Sequence, residues 1–136
     1  MAFMVLTAQF VSVNGTDLSD FCTKAELGME VEEKDVTTFG AGGWKVVLGG
    51  IKSAGLDVEF IQDFDVAALD AIMWPLFGTV VPFQVRASQA AVGASNPQYS
   101  GNVLIKEYKP LQGSVGDEAK TGASYPSSGP VARAVA

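Results

Sequence analysis

Histidine is absent from the 136-residue sequence, and cysteine occurs once, as Cys22. Histidine is the commonest general base and the usual partner of a nucleophilic serine or cysteine, so its absence argues against an enzyme. A single thiol forms neither an internal disulfide nor a thiolate zinc site. We therefore expect no catalytic residues, no bound metal and no cofactor. We interpret Cys22 as a small, half-buried apolar residue.

Long hydrophobic runs are also absent, because no stretch of about 18 consecutive apolar residues occurs. The residues from Met1 to Leu6 carry no positive charge and polar Thr7 follows them, which is a poor match to a secretory signal. The sequence thus predicts neither a membrane span nor a leader. Apolar residues make up 48% of the chain, which favours one globular domain over residues 1–136.

Charge is distributed unevenly along the chain. Residues 1–70 contain twelve acidic and four basic side chains, a net charge of −8, whereas residues 71–136 contain three and five, a net charge of +2. This asymmetry predicts one acidic and one mildly basic surface. Tight binding of nucleic acid is not expected, because lysine and arginine on phosphates supply most of that affinity.

Alternation of apolar and polar residues predicts strands along most of the chain. It is clearest at residues 24–32 and 54–61, where one side is apolar and the other acidic. Asn14-Gly15 predicts a tight turn after the first strand. Residues 33–44 predict a long glycine-rich connection, and Gly49-Gly50 a stop. The eight predicted strands are residues 9–13, 24–32, 45–48, 54–61, 80–86, 99–110, 118–125 and 131–135.

One helix is predicted at about residues 66–77. Asp63 or Asp65 is expected to cap its first turn, and Gly78 to end it in a left-handed conformation. Pro75 should distort the last turn. The inward stripe is expected to consist of Leu69, Ile72, Met73 and Leu76.

Eight short strands and one helix predict a mainly β fold, either a β-sandwich or a small barrel with one flanking α-helix. The last residues, 132–136, are expected to form a flexible tail that orders against a neighbour.

Two short motifs suggest ligand sites but have simpler explanations. Asp63-Phe64-Asp65 lacks the further ligands and the glycine of a calcium loop, so helix capping is the preferred interpretation. The glycine-rich stretch Gly40-Ala41-Gly42-Gly43 is not followed by the Gly-Lys-Ser/Thr of a phosphate-binding loop, which favours a flexible connection.

The polar faces of two strands carry charge of one sign. Glu26, Glu30 and Glu32 lie on the first, and Asp57 and Glu59 lie on the second. A solvated monomer face is one explanation. Such faces usually mix signs, however, and like charges on neighbouring strands repel. A functional requirement for a negative surface is therefore the alternative.

Two large aromatic residues, Phe39 and Trp44, lie in the predicted polar connection. Such residues either fold back onto the core or anchor a partner. Several predicted strands also leave sheet edges with few lysines or prolines to protect them, which is expected if neighbouring copies pair with those edges.

The sequence resembles the tail tube (major tail) proteins of siphophages, especially those infecting actinobacteria. The similarity covers roughly residues 9–135, and the order and spacing of its segments are more specific than any one of them. The matching segments are Val13-Asn14-Gly15-Thr16-Asp17-Leu18-Ser19-Asp20, Thr37-Thr38-Phe39-Gly40, Gly49-Gly50-Ile51-Lys52, Phe60-Ile61-Gln62-Asp63-Phe64, residues 69–77, Gly78-Thr79-Val80-Val81, Asn96-Pro97-Gln98-Tyr99-Ser100-Gly101 and Gly113-Ser114-Val115-Gly116-Asp117.

The resemblance implies a structural virion protein that self-assembles into hexameric rings stacked head to tail. The tape measure protein, and later DNA during ejection, would pass through the lumen. Tail terminator and distal tail proteins would be further partners, and assembly would take place in the host cytoplasm. The family has no catalytic residues to transfer to this chain.

We assign the lumen face to Glu26, Glu30, Asp57 and Glu59, and contacts between rings to Phe39 and Trp44. Two other structural functions remain open. One is a β-sandwich binding or capsid-decoration module that does not polymerise, and the other is the inner tube of a contractile injection system.

Overall fold

The structure is a computed structural model that describes residues 3–136. Met1 and Ala2 lie outside the described residues. They belong to the expected single domain and to the N-terminal segment that is a poor match to a secretory signal. The strands are β1 (Phe10–Val13), β2 (Thr16–Asp17), β3 (Cys22–Asp35), β4 (Val47–Ile61), β5 (Val80–Arg86), β6 (Gln98–Leu104), β7 (Lys120–Pro126) and β8 (Ala132–Ala134).

These strands form two antiparallel sheets. The larger sheet has the order β2-β1-β5-β6-β8, and the smaller has the order β3-β4-β7. One short helix, α1 (Leu69–Met73), lies between β4 and β5. The predicted mainly β class, a sandwich with one flanking helix, is confirmed.

The core lies where the inward faces of the two sheets meet. Val58 and Phe60 of β4 are among its buried side chains, as their alternation predicted, and so are Val81 and Phe83 of β5. Helix α1 contributes to the same cluster. The remaining buried members are Val13, Leu18, Leu56, Leu69, Met73, Val103, Ile105 and Tyr125.

Helix α1 is shorter than the predicted span of residues 66–77. It begins later because Ala67 has a left-handed conformation, with φ 62°, and Ala68 is extended. It changes to a 3-10 helix at Trp74–Leu76, where Pro75 cannot continue the α-helical hydrogen bonds. The predicted end at Gly78 is correct, since φ there is 84°.

The predicted helix capping is wrong. Ala68 occupies the N-cap position and makes no side-chain capping bond, and Asp63 reaches the first turn only through its backbone carbonyl, which accepts a hydrogen bond from the Asp70 amide at 3.1 Å. Instead, Asp63 Oδ1 accepts a hydrogen bond from the Asp65 amide at 2.9 Å, and Asp65 Oδ1 accepts one from the Val66 amide at 3.1 Å. The two aspartates therefore build the turn before the helix. The predicted inward stripe is confirmed, with Leu69 and Met73 buried and Ile72 and Leu76 packed against the core.

A long hairpin of β3 and β4 is the largest departure from expectation. The predicted stop at Gly49-Gly50 is wrong, because β4 is continuous, and the connection lies at residues 36–46 and not at residues 33–44. A β-bulge lies where the register changes from Val31 opposite Lys52 to Glu33 opposite Gly49. A Cβ atom on Gly49 would lie 3.3 Å from a methyl group of Val31, so the glycines suit a crowded bulge within a strand.

The C-terminal half differs from expectation mainly in strand length. Strand β6 ends at Leu104 and not at residue 110, because the chain turns there, with the Lys106 amide donating back to the Leu104 carbonyl at 2.9 Å. Strand β8 pairs with β6, as predicted for an edge strand. The flexibility of residues 132–136 before assembly stays a prediction.

Candidate assembly surfaces

The four acidic residues assigned from the sequence lie on the outward side of the smaller sheet. The pairing of β3 with β4 places Glu26 directly opposite Asp57, and Glu30 opposite Ser53. Glu26, Glu30 and Asp57 line one shallow groove of about 360 Å³. Glu59 lines a neighbouring groove of about 270 Å³, which Asp57 shares. The structure thus brings all four onto one continuous face.

Three lysines lie beside these acids. Lys106 lines the groove of Glu26 and Asp57, while Lys24 and Lys120 line the groove of Glu59. The sequence indicates the position of Lys24, because it lies two residues before Glu26 in the same strand and therefore on the same face. Its Nζ atom lies 4.0 Å from Glu26 Oε2. Lys106 and Lys120 come from distant segments, so no local pattern placed them there. The face therefore has mixed charge and is less negative than expected.

The half of the β3–β4 hairpin beyond the core forms an exposed arm, which we define as residues 28–35 and 47–54. Its large apolar side chains are exposed, with Ile51 at 77% and Met29 at 62%. An open groove of about 640 Å³ runs between the arm and the turn after β7, where Pro130 and Val131 lie. Monomeric proteins seldom leave such apolar surface uncovered, so the arm has the character of an interface.

The arm tip, residues 36–46, holds its aromatic side chains away from the core. Phe39 is fully exposed and Trp44 is 79% exposed. The tip is closed at its base, where the Val46 amide donates to Thr37 Oγ1 at 2.8 Å and the Val36 amide donates to the Val46 carbonyl at 3.0 Å. Neither aromatic side chain therefore folds back onto the core, which was one of the two alternatives that the sequence left open.

Electrostatic contacts strengthen the base of the tip. Lys45 Nζ lies 2.7 Å from Glu33 Oε1 across the hairpin. The Thr37 amide donates to Asp35 Oδ1 at 2.9 Å, and this hydrogen bond lowers the pKa of the Asp35 carboxyl. Both contacts are exposed, so each adds little to stability, but together they orient the tip along the arm.

The two edges of the smaller sheet differ. Within residues 3–136, β3 pairs only with β4, so its other edge is open along 14 residues. The free edge of β7 is partly satisfied, because its Gly122 amide donates to Gln112 Oε1 and its Ser124 amide donates to Glu107 Oε1. An open edge of this length is a template for pairing with another chain.

A hydrogen-bonded network ties α1 to the smaller sheet. The Tyr108 hydroxyl donates to Asp70 Oδ1 at 2.6 Å, and Gln62 Nε2 donates to the Tyr108 oxygen at 3.1 Å and to the Pro110 carbonyl at 2.8 Å. Partial burial, together with the neighbouring Asp70, raises the pKa of Tyr108 to about 12. This network fixes the helix against the end of β4.

Possible metal ligands and the lone thiol are the remaining candidates. Across residues 3–136, no three His, Cys, Asp or Glu side chains cluster in a way that would hold a metal ion. Cys22 is half-buried, as interpreted, and burial raises the pKa of its thiol. In the same part of the chain no helix has the length and apolarity needed to cross a membrane.

Two solved structures contain chains with the same fold. One is described as the virion of a native gene transfer agent (GTA) particle; its chain matches with a TM-score of 0.73 and 20% identity over 93% of this chain and 95% of that one. The other is the tail of an empty GTA particle with C6 symmetry, with a TM-score of 0.71 and 20% identity over 94% and 95%. No family model and no curated protein matches the sequence.

Proposed function

We propose that this protein is a structural subunit of a phage tail, which self-assembles into stacked hexameric rings that form the tail tube. The observation that carries the proposal is a fold shared over nearly the whole chain with chains of GTA particles, one of them from a C6-symmetric tail. The exposed apolar arm supports it, because the arm is suited to contact with neighbouring copies.

Ring closure follows from the open edge of β3. A strand of the next copy pairs with this edge, satisfies its unpaired amides and carbonyls, and repeats around the ring until the sixth copy meets the first. The arm groove beside Pro130 and Val131 would receive apolar side chains of the same neighbour. This contact joins two different surfaces, as a closed ring of more than two subunits requires.

The lumen is assigned to the outward face of the smaller sheet. This face would turn Glu26, Glu30, Asp57 and Glu59 toward the passing DNA. The neighbouring lysines number three per copy and are interspersed with the acids, so they do not form the continuous cationic track that tight phosphate binding needs. DNA would slide through such a bore without sticking.

Contacts between rings are assigned to the arm tip. Phe39 and Trp44 extend beyond the sandwich and contact the adjacent ring, where their burial stabilises stacking. Stacking is an open, non-closing contact, so it adds rings without limit unless another protein terminates it.

The resemblance to siphophage tail tube proteins, especially of phages infecting actinobacteria, suggests the remaining partners. These are the tape measure protein inside the tube, a tail terminator protein and distal tail proteins. The protein would be made and assembled in the host cytoplasm and would act in the virion without catalysis.

Electron microscopy of the purified protein over a series of concentrations tests this function. We expect rings, and at higher concentration filaments with a central hole and six-fold symmetry in cross-section. Particles that stay single at every concentration would instead favour the binding or capsid-decoration module. A tube that also requires an outer sheath for its stability would favour a contractile injection system.

A further inference from the structure

We propose that the arm tip of one copy docks on the α1 pole, residues 62–80, of a copy in the next ring. The inference rests on the proposed function and names the receiving surface for the tip. It follows from exposed apolar residues, backbone strain, the topology of β4 and the charges at its two ends.

The α1 pole exposes large apolar side chains that the core does not use. Val66 is 95% exposed and Trp74 is 68% exposed, although Leu69 and Met73 between them are buried. Three further apolar residues of this short segment are also more than half exposed: Phe64, Phe77 and Val80. Exposed aromatic and aliphatic residues at this density are typical of a protein contact and not of a solvated loop.

Backbone strain marks the same place. Ala67 has φ 62°, a left-handed conformation that a residue with a Cβ atom avoids. The turn made by Asp63 and Asp65 leads into it, and the result is that Val66 points into solvent. Strained residues of this kind persist at sites that hold a ligand or partner. Within the described chain, Val66 is 95% exposed, so its packing does not offset the free-energy cost of this backbone strain.

The tip and the α1 pole lie at opposite ends of one strand. The tip precedes β4 at Val47, and the pole follows β4 at Ile61. At 3.3 Å per residue, this strand separates them by about 46 Å. The two surfaces therefore cannot meet within one copy, but two copies stacked in the same orientation bring the tip of one toward the pole of the other.

Charge disfavours the symmetric contact between two poles. The pole contains three carboxylates, on Asp63, Asp65 and Asp70, and no basic residue, whereas the tip contains one charged residue, Lys45. A pole-to-pole contact would bring six carboxylates together. A tip-to-pole contact avoids this repulsion, because residues 36–46 contain no carboxylate and the single lysine of the tip, Lys45, is already paired with Glu33 of the arm.

Cross-linking with cysteines beside the contact tests the pairing while leaving the aromatic residues intact. Cys22→Ser removes the native thiol. Thr38→Cys then places a thiol next to Phe39, and Ala71→Cys places one on the exposed side of α1. Tubes of the chain carrying both substitutions, treated with a short bismaleimide, should give a ladder of dimers, trimers and longer products on a denaturing gel.

The matched control pairs Thr38→Cys with Ser95→Cys, since Ser95 is exposed in the loop at the far end of β5 from the pole. We expect at least tenfold less cross-linked chain from this control. An equal mixture of the Thr38→Cys chain and the Ala71→Cys chain should give dimers only. Cross-linking of either single variant with itself would indicate a symmetric contact and overturn the inference.

The outcomes separate the two proposals. If tubes form but the Thr38→Cys/Ala71→Cys chain yields no more product than the control, the pairing is wrong and the tube assignment stands. If the Cys22→Ser protein and the unmodified protein both fail to form rings or tubes, the proposed function fails and the docking inference fails with it.

Discussion

Replacing Phe39 and Trp44 together with alanine should separate assembly from folding. Both side chains are almost fully exposed at the arm tip and contact no part of the core. Exposed substitutions of this kind change stability by about 0.5 kcal/mol or less. The melting temperature of the monomer should therefore shift by no more than about 3 °C.

The effect on stacking should be much larger. An aromatic side chain buries roughly 150–250 Å² in an interface, and burial contributes about 25 cal/mol per Å². If the adjacent ring covers only half of that area, the double substitution costs each copy about 4 kcal/mol. This corresponds to a loss of about a thousandfold in the association constant. The critical concentration for tubes should rise accordingly.

Light scattering and electron microscopy over a concentration series measure this change. The matched control is Leu111→Ala with Val115→Ala, an apolar pair with exposed fractions of 78% and 106%, against 109% and 79% for Phe39 and Trp44. The control should assemble at the original concentration. Tubes of normal length from the tip variant at that same concentration would refute the assignment of the tip to stacking.

Three further predictions concern the lumen, the core and pH. Changing all four proposed lumen acids to lysine should still permit tubes but reduce infectivity, and unchanged infectivity would remove them from the lumen. Gly101→Ala should cost about 1–3 kcal/mol in urea unfolding, because its Cβ would lie 2.9 Å from the Pro130 carbonyl; Gly28→Ala, with open space around it, should not destabilise. The pKa of Tyr108 is about 12 in the folded chain against 10.0 for the free side chain, so the unfolded state loses its proton first and stability should fall as pH rises from 10 to 12. Burial also raises the pKa of Tyr125, so Tyr108→Phe should reduce that slope without abolishing it, and an unaltered slope would contradict the reasoning.

Local chemistry explains which elements the sequence predicted well. Asn14-Gly15 forms the expected turn because both residues take left-handed conformations, with φ 54° and 77°. Strand β5 has the predicted bounds, Val80–Arg86, since a left-handed glycine precedes it and small polar residues follow it. The inward stripe of α1 was also correct, because helical spacing survives even when the ends of the helix move.

The errors arose where tertiary context overrides local signals. Gly49-Gly50 has the composition of a turn, but pairing with β3 keeps it within a strand as a bulge. Ala67 gives no sign in the sequence that it is left-handed, so the later start of α1 was not predictable. Lys106 and Lys120 reach the acidic face only because β7 and the segment before it pack beside β4. The alternation of residues within β3 and β4 contains no information about that packing.

The long hairpin divides its residues between stability and assembly. In the half near α1, Leu56, Val58 and Phe60 are buried, so truncating one of them should cost about 2–5 kcal/mol and unfold the monomer more readily. In the arm, Met29 and Ile51 have the same apolar character but lie in solvent, so truncation there should spare the monomer. One continuous strand, β4, links the two halves. Because β3 and β4 are already paired along the arm, binding of a partner there carries a smaller entropic cost of ordering, which favours repeated addition of identical subunits.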